Sequence, residues 1–282
     1  MGAEGGFDFM KSGQASWREH NQAAWDARVQ RQAWYIDTAT DEDFRQPLKV
    51  ADPLGWLGAE VAGQRILCLA AGGGRHGPLL AAAGATVTVV DLSPQMLALD
   101  RKVASGRELS LRLVEASMDD LKALAEAGFD AVIQPVSTCY VPEVTAVYRE
   151  IARVLRPGGV YVSQHKQPVS LQASAGPLGA QNLFLLTEPY DRKGPLPPAG
   201  EGCWHREHGA LEHLHRLEDL LGGLCRAGFV IEDVVEPQHS RPDAKVGSFA
   251  YRCRFVPPYL VIKARRTDVP VPVPAKSGLI VP

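Results

Sequence analysis

Cysteine is scarce in this sequence: there are five among 282 residues, scattered and without a CxxC pair. An odd, unclustered set excludes a disulfide framework and offers no zinc motif, so reduced thiols and no bound metal are expected. No apolar run reaches the roughly 20 residues that a membrane-spanning helix needs. Residues 1–13 lack the basic start and the apolar segment of a signal peptide. These absences predict a cytoplasmic protein that does not enter a membrane.

An excess of charge of one sign is also missing. The 30 Lys and Arg residues nearly balance 32 Asp and Glu residues, which gives a net charge of −2, and no block of like charge occurs. Nucleic-acid-binding proteins carry a basic patch or stripe, so no nucleic-acid partner is expected. Hydrophobic residues make up 45% of the chain, which suffices for the core of one large domain with a cap.

Strand-like and helix-like segments alternate from Arg65 onward. The segments typical of strands are "RILCLA", "ATVTVVD", "LSLRLVE", "FDAVIQPV", "GGVYVSQH", "FVIEDVVE" and "PPYLVIKARR". Between them lie helical patterns such as "SPQMLALDRKVA", "MDDLKALAEAG" and "PEVTAVYREIARVLRPGG", the last with a Pro-Gly-Gly stop. The alternation predicts an α/β fold: a doubly wound, Rossmann-like, mostly parallel seven-stranded sheet with helices on both faces. An N-terminal helix and an insertion after strand five are expected to form a cap.

The pattern lapses between Lys166 and Arg216, where Pro/Gly-rich stretches predict a functional insertion. Residues 16–39 predict a helix whose aromatic side chains either pack it onto the main domain or line a lid over a substrate: Trp17, Trp25 and Trp34. The predicted organisation is an N-terminal helical cap, a cofactor-binding core, a substrate-cap insertion, the C-terminal part of the core and a Pro-rich tail, at 1–52, 53–165, 166–216, 217–266 and 267–282.

A glycine-rich turn follows the first predicted strand. Gly72-x-Gly74-x-x-Gly77 has the spacing of a dinucleotide-binding turn, and Asp91 stands at the end of the second strand. Glycine lets the backbone approach a ligand, the next helix offers free N–H groups, and the carboxylate can accept both ribose hydroxyls. The turn therefore predicts an adenosine-bearing cofactor without choosing between a nicotinamide nucleotide and others.

The segments around this turn narrow the choice. "DLSPQML", "EASMDDL", "LRPGG" and "CRAGFVIEDVVE" occur in this order, and together they resemble the class I S-adenosylmethionine-dependent methyltransferases over residues 65–266. "CLAAGGGRHGPLLAAAGA" and "PVSTCYVPEV" resemble a set of bacterial methyltransferases of uncharacterised substrate. A nicotinamide oxidoreductase would leave "DLSPQML" and "LRPGG" unexplained.

The resemblance implies S-adenosylmethionine as cofactor, S-adenosylhomocysteine as product, and a monomer or homodimer. In that family the turn cradles the methionine part and the ribose, the acid after strand two holds the ribose hydroxyls, and later segments border the adenine and the sulfonium. Position by position, the implied cofactor-binding residues are Ala70, Ala71, Gly72 and Gly74 in the turn, Asp91 at the ribose, Leu92, Met96, Ser117 and Met118 around the adenine, and Pro135, Val136 and Ser137 near the sulfonium.

Three positions depart from the family pattern. Cys68 stands where strand one usually carries an acid, Ala70 replaces the first glycine of the turn, and Ser117 replaces an Asp that commonly binds the adenine amino group. These departures motivate an alternative hypothesis, a cofactor-binding module without catalytic turnover.

Methyl transfer needs a base only if the nucleophile must lose a proton, and neutral imidazole is the usual choice. His165 follows strand five at the edge where such sheets place their ligands, and is either a base or substrate contact or a strand-end residue. His215 is the most plausible candidate in the His-rich stretch 203–219, which lacks a recognised metal-ligand spacing. Tyr140 contacts either the cofactor or substrate, or else packs on the next helix.

The sequence thus predicts a methyltransferase that acts on an O, N or S nucleophile of a small molecule by in-line displacement. The insertion and the N-terminal helix are expected to form the substrate cap. Methylation of a protein or RNA is the alternative within the same enzyme class, and the absence of basic runs counts against RNA.

Overall fold

The computed structural model describes residues 16–31, 36–200 and 203–267. Within them, seven strands form one sheet in the order β3-β2-β1-β4-β5-β7-β6. The strands are β1 Arg65–Leu69, β2 Thr86–Asp91, β3 Leu111–Glu115, β4 Phe129–Gln134, β5 Leu155–Lys166, β6 Phe229–Val235 and β7 Tyr259–Arg266. Strands β1 to β5 are parallel, and β7 is antiparallel to both β5 and β6. This arrangement confirms the predicted fold class.

Helices cover both faces of the sheet. Their bounds are α1 Trp17–Gln30, α2 Pro47–Ala51, α3 His76–Ala82, α4 Pro94–Ser105, α5 Val144–Val154, α6 Pro168–Gln172, α7 Gly223–Arg226 and α8 Phe249–Arg252. A π-helical turn, Glu218–Gly222, leads into α7, and 3₁₀ turns occur at Asp43–Arg45 and Thr138–Tyr140. The helix α1 begins at a capping box formed by Ser16 and Glu19.

Strand β1 shows why the sheet lies at the centre. After the exposed Arg65, its four apolar residues are fully buried, and their alternating side chains face opposite sides. Leu67 and Leu69 join a core with residues of α5 and α7, while Ile66 and Cys68 join a second core with residues of α2 and α3. A strand that is buried on both faces is typical of a parallel sheet covered by two helical layers.

One predicted helix is wrong. Residues 118–128 form turns instead, although Leu121 and Leu124 are buried as a helical stripe would be. The side chain of Arg153 donates hydrogen bonds to the carbonyl oxygens of these two leucines, and the carboxylate of Glu150 accepts from the Leu121 N–H. The helix α5 therefore satisfies backbone groups that a local helix would have satisfied itself.

Two other expectations differ in extent. The helix predicted up to Pro157 ends at Val154, because β5 begins at Leu155 and carries the Pro-Gly-Gly segment inside the strand. Trp34 and residues 268–282 of the predicted tail lie outside the described residues.

Candidate functional site

A cavity of about 580 Å³ opens where the strand order reverses between β1 and β4. In open α/β sheets, the carboxyl ends of the strands at this reversal form the ligand crevice. The volume lies within the range of small-molecule and cofactor sites. The sheet side contributes the glycine turn, the ends of β2 and β4 and the start of α4, while α1 and the insertion after β5 contribute Trp17, Asn21, Trp25 and Glu207.

The glycine turn is held by carboxylates. The N–H of Gly72 donates to Asp91 Oδ2 over 2.9 Å, and the N–H of Gly73 donates to Asp100 Oδ2 over 2.8 Å. A Cβ on Gly72 would lie 2.8 Å from both Asp91 Oδ2 and Met96 Cβ, so no larger residue fits without moving one of them. The turn therefore brings its backbone directly against the carboxylate at the end of β2.

Ala70, the residue that replaces the first family glycine, adopts a left-handed backbone conformation with a φ of +47°. This region costs an L-residue about 1–2 kcal/mol, whereas glycine enters it freely. The Ala70 N–H donates to the Val90 carbonyl oxygen over 2.7 Å, which ties the strained residue to β2.

We expect Ala70→Gly to raise the free energy of unfolding by up to about 1 kcal/mol, because relief of this strain exceeds the extra chain entropy of glycine. Urea denaturation of the two proteins measures the difference. Ala81→Gly, inside α3, is the matched control and should lower the free energy by about 1 kcal/mol. A comparable loss in Ala70→Gly would contradict the assigned strain.

Asp91 is placed to act as a double acceptor. Its Oδ2 accepts from the Gly72 N–H, and its Oδ1 accepts from the Ser93 N–H over 2.9 Å. Burial raises the pKa of Asp91 to about 6, despite the opposing effect of these N–H groups. Asp91 lines the cavity, so the same carboxylate can still accept hydrogen bonds from a ligand's hydroxyls.

Asp100 is a residue that the sequence reasoning missed. It lies on the buried side of α4, and its Oδ1 has no hydrogen-bond partner within the described residues. Burial raises the pKa of Asp100 to about 7. Its negative charge in turn contributes to raising the pKa of the buried Cys68 thiol, after burial itself. The turn therefore does contact a second carboxyl group, but this group comes from α4 and not from the position in β1 that Cys68 occupies. Asp100 could have been recognised in the sequence, because it is a charged residue on the apolar side of a predicted helix.

The implied adenine contacts Leu92, Met96, Ser117 and Met118 all line the cavity. The Ser117 hydroxyl donates to Asp119, whose other oxygen forms an ion pair of 2.7 Å with Arg18 of α1. The carboxylate of Asp119 is thus occupied by Arg18 and Ser117. Of these three residues, Ser117 is the one that lines the cavity.

The remaining implied contacts divide into two groups. Ala71 and the three residues after β4, Pro135, Val136 and Ser137, line the cavity. Gly74 is not part of the cavity wall; it has a φ of +74° and its carbonyl oxygen accepts from the Ala39 N–H over 2.9 Å. Gly74 therefore helps to determine the conformation of the turn.

The two histidine candidates for a base do not reach this cavity. His165 is fully buried, with 2.8 Å between its Nδ1 and Thr138 Oγ1 and between its Nε2 and Ser163 Oγ. Burial lowers the pKa of His165 to about 3. The Nε2 of His215 donates to the carbonyl oxygens of Thr138 and Val141, and its ring lines a separate cavity. We therefore correct both expectations, because neither ring lines the cofactor cavity and their hydrogen bonds are made inside the protein.

Tyr140 does line the cavity, and it is held firmly there. Its ring packs edge-on against Trp25 of α1, with 5.4 Å between the ring centroids. Its carbonyl oxygen accepts from Asn21 Nδ2 over 3.0 Å. The same buried Asn21 also bonds the backbone of Leu211 in both directions, so α1, the 3₁₀ turn of Tyr140 and the insertion are joined at one point.

A buried charge cluster lies behind Tyr140, and sequence reasoning missed it. The Lys166 ammonium pairs with Glu207 and, over 2.6 Å, with Glu212, whose second oxygen pairs with Arg206 over 2.6 Å. Burial alone would lower the pKa of Lys166, but the two carboxylates raise it. Two cations and two anions cancel, which lets the cluster remain ionised inside the protein.

Of this cluster, only Glu207 lines the cavity, and its carboxylate is one of the causes that raise the pKa of Tyr140, after burial itself. Burial works to raise the pKa of Glu207, yet the Lys166 ammonium outweighs it and lowers the pKa below the usual range. The cavity wall thus contains an ionised carboxylate that comes from the insertion after β5.

Two negative findings apply to the described residues. Among them, no group of three or more His, Cys, Asp and Glu side chains is arranged to hold a metal ion. None of the helices in residues 16–31, 36–200 and 203–267 combines the length and apolar character needed to cross a membrane.

The strand order, the glycine turn and Asp91 at the switch point define an α/β protein that binds an adenosine cofactor. Comparison with known proteins narrows this class. Residues 67–163 match the family described as "Methyltransferase domain". The chain is 33% identical over 231 residues to the uncharacterized methyltransferase YbaJ of Bacillus subtilis (strain 168). The aligned region covers 77% of this chain and 89% of that protein.

Two further relatives agree. The ubiquinone biosynthesis O-methyltransferase of Xanthomonas axonopodis pv. citri (strain 306) is 31% identical over 190 residues, 64% of this chain and 76% of that protein. A solved S-adenosylmethionine-dependent methyltransferase from Mesorhizobium loti has a TM-score of 0.61 and 27% identity, over 77% of this chain and 98% of that one. The chain belongs to the class I S-adenosylmethionine-dependent methyltransferases. It is an enzyme, and its cofactor is S-adenosylmethionine.

Proposed function

We propose that the protein transfers the methyl group of S-adenosylmethionine to a nucleophile of a small molecule bound in the same cavity. The observation that carries this proposal is the continuity of the cavity. The glycine turn and Asp91 line the same cavity as Trp25, Tyr140 and Glu207. Cofactor and acceptor can therefore meet without a further domain.

The residues divide the work as follows. Asp91 would accept the ribose hydroxyls, the backbone of the glycine turn would lie along the methionine part, and Leu92 and Met96 would pack beside the adenine. The bound cofactor supplies an electrophilic methyl group on a positively charged sulfur. Trp17 and Trp25 keep water out and, with Tyr140, hold the acceptor in line. Such positioning can supply about 7–11 kcal/mol of the activation barrier.

The size and lining of the cavity support a small acceptor. Its acceptor side is bounded by side chains of α1 and of the insertion, and the chain lacks the block of basic charge that RNA binding uses. The similarity to an enzyme named as an O-methyltransferase supports oxygen as the nucleophile, ahead of nitrogen or sulfur.

The test uses S-adenosylmethionine with a deuterated methyl group. The protein is incubated with a panel of phenols, carboxylic acids, amines and thiols, and in parallel with a peptide mixture and total RNA. Mass spectrometry then follows the label. Transfer to a small molecule is the expected result. Transfer only to peptide or RNA, or binding of S-adenosylhomocysteine without any transfer, would contradict the proposal and favour a macromolecular acceptor or a non-catalytic module.

Other expectations remain predictions. They are a cytoplasmic location, a monomeric or homodimeric state, the absence of a nucleic-acid partner and the division into a cap, core, insertion and tail. Size-exclusion chromatography with light scattering tests the oligomeric state directly.

A further inference from the structure

We propose that Tyr140 and Glu207 form a proton relay that deprotonates a hydroxyl acceptor during methyl transfer. This inference rests on the proposed function, because it needs a small acceptor in the cavity. It adds two catalytic residues and a substrate class: alcohols or phenols that carry a proton when they bind.

Geometry is the first argument. Tyr140 and Glu207 both line the cavity, and the carboxylate of Glu207 acts electrostatically on the Tyr140 hydroxyl. Trp25 and Asn21 fix Tyr140 through its ring and its carbonyl oxygen. The side chain of Tyr140 is therefore preorganised in the wall of the cavity.

Charge is the second argument. Lys166 holds the carboxylate of Glu207 in its ionised form, and Glu212 and Arg206 balance the remaining charge. Burial, with the adjacent Glu207 as a further cause, raises the pKa of Tyr140 well above its usual value. Tyr140 thus remains a neutral phenol, which in the proposed relay donates to Glu207 and keeps a lone pair for the proton of an acceptor.

The histidine and cysteine side chains near the cavity are unsuited to the task. His165 and His215 bond inside the protein, and the buried Cys139 thiol has a pKa raised by burial. Asp37 also lines the cavity, but it lies two residues before Ala39, whose N–H bonds the glycine turn. Burial lowers the pKa of His76, beside the turn, to about 4.

The proposed step balances as follows. A lone pair of the acceptor oxygen forms the new O–C bond, and the electron pair of the breaking C–S bond passes to sulfur. The acceptor proton moves to the Tyr140 oxygen while the Tyr140 proton moves to a carboxylate oxygen of Glu207. Glu207 later returns the proton to water, which restores the starting state. An acceptor that is already an anion bypasses this relay.

Two probes of matched shape separate proton removal from binding. 4-Methylphenol keeps its proton near neutral pH, whereas 4-methylbenzenethiol loses its proton there without help. We expect Tyr140→Phe and Glu207→Gln each to slow phenol methylation by about 100-fold or more, as loss of general-base catalysis does. Thiol methylation should change less than tenfold, and the double variant should be no slower than either single one. Equal losses with both probes would overturn the relay, because they would mean that the pair only shapes the cavity.

Matched controls are available on the surface. Tyr190→Phe and the exposed Glu126→Gln make the same chemical changes outside the cavity and should leave both rates unchanged. Tyr140→Phe keeps the ring that packs on Trp25 and leaves the buried charges untouched. This variant tests the relay even if Glu207→Gln folds poorly.

A binding measurement separates failure of the relay from failure of the proposed function. If the wild-type protein binds S-adenosylhomocysteine but methylates neither probe nor any member of the small-molecule panel, the proposed function fails. The relay is then judged with 4-nitrophenol, whose neutral and ionised forms absorb differently, added to the S-adenosylhomocysteine complex. Beside an ionised Glu207 the dye should bind as the neutral phenol, and Glu207→Gln should lower the pKa of the bound dye. No binding, or the same pKa in both proteins, would overturn the relay.

Discussion

Asp91→Asn is expected to weaken the binding of S-adenosylhomocysteine by about 100-fold or more. A hydrogen bond to a charged acceptor contributes about 1.5–3 kcal/mol, and the carboxylate is placed to accept two from the ribose. A loss of roughly 3 kcal/mol corresponds to that factor in the dissociation constant. Asparagine keeps the volume and one oxygen, so the turn contact with Gly72 or Ser93 can persist and the protein should fold.

Fluorescence titration measures this effect, because Trp17 and Trp25 line the cavity. Asp243→Asn, at an exposed position, makes the same change of charge and should leave the affinity unaltered. An affinity of Asp91→Asn within threefold of the wild type would contradict the assignment of the ribose site.

The same titration should depend on pH. Burial raises the pKa of Asp91 to about 6, and the ligand needs the ionised carboxylate as a double acceptor. Affinity should therefore be highest above pH 6 and fall as the pH drops through that value, because each binding event must then expel a proton. Asp91→Asn should lose this dependence. An affinity of the wild-type protein that does not change with pH would contradict this prediction.

The second large effect concerns stability. Lys166→Met is expected to lower the free energy of unfolding by about 3–5 kcal/mol, because it leaves Glu207 and Glu212 buried without their shared cation. The side chain of Glu212 is 0% exposed, so water cannot replace the ammonium there. Chemical denaturation followed by circular dichroism gives the value.

The exposed Lys122 supplies the control for this change. Its side chain is 86% exposed beside Asp120, and Lys122→Met should alter the free energy of unfolding by less than about 1 kcal/mol. Adding Glu207→Gln to Lys166→Met should recover part of the loss, since it removes the carboxylate left without a cation, while Glu212 keeps its ion pair with Arg206. A loss below about 1 kcal/mol in Lys166→Met would contradict the role of the buried cluster.

The sequence was sufficient to predict the sheet and to bring most of the implied cofactor-binding residues to one cavity. Both follow from local patterns: apolar runs of strand length, and motifs that stand at the carboxyl ends of neighbouring strands. Parallel strands bring these ends to one edge, so Gly72, Asp91 and Ser137 meet although they are far apart in sequence.

The acceptor side could not be predicted in this way. Lys166 meets Glu207 and Glu212 across 41 and 46 residues of an insertion with little regular periodicity. No spacing rule relates these positions. His165 seemed suitable because it ends a strand, but its side chain points into the protein, where two hydroxyls occupy both ring nitrogens. Position along a strand does not reveal which face a side chain takes when both faces are buried.

A crystal structure of the S-adenosylhomocysteine complex tests the central claim most directly, namely that one cavity joins the cofactor and the acceptor. We predict the ribose hydroxyls on Asp91, the methionine part along the glycine turn, and the sulfur facing the space in front of Tyr140 and Glu207. A ribose bound away from Asp91, or a sulfur that faces away from Tyr140, would contradict the claim.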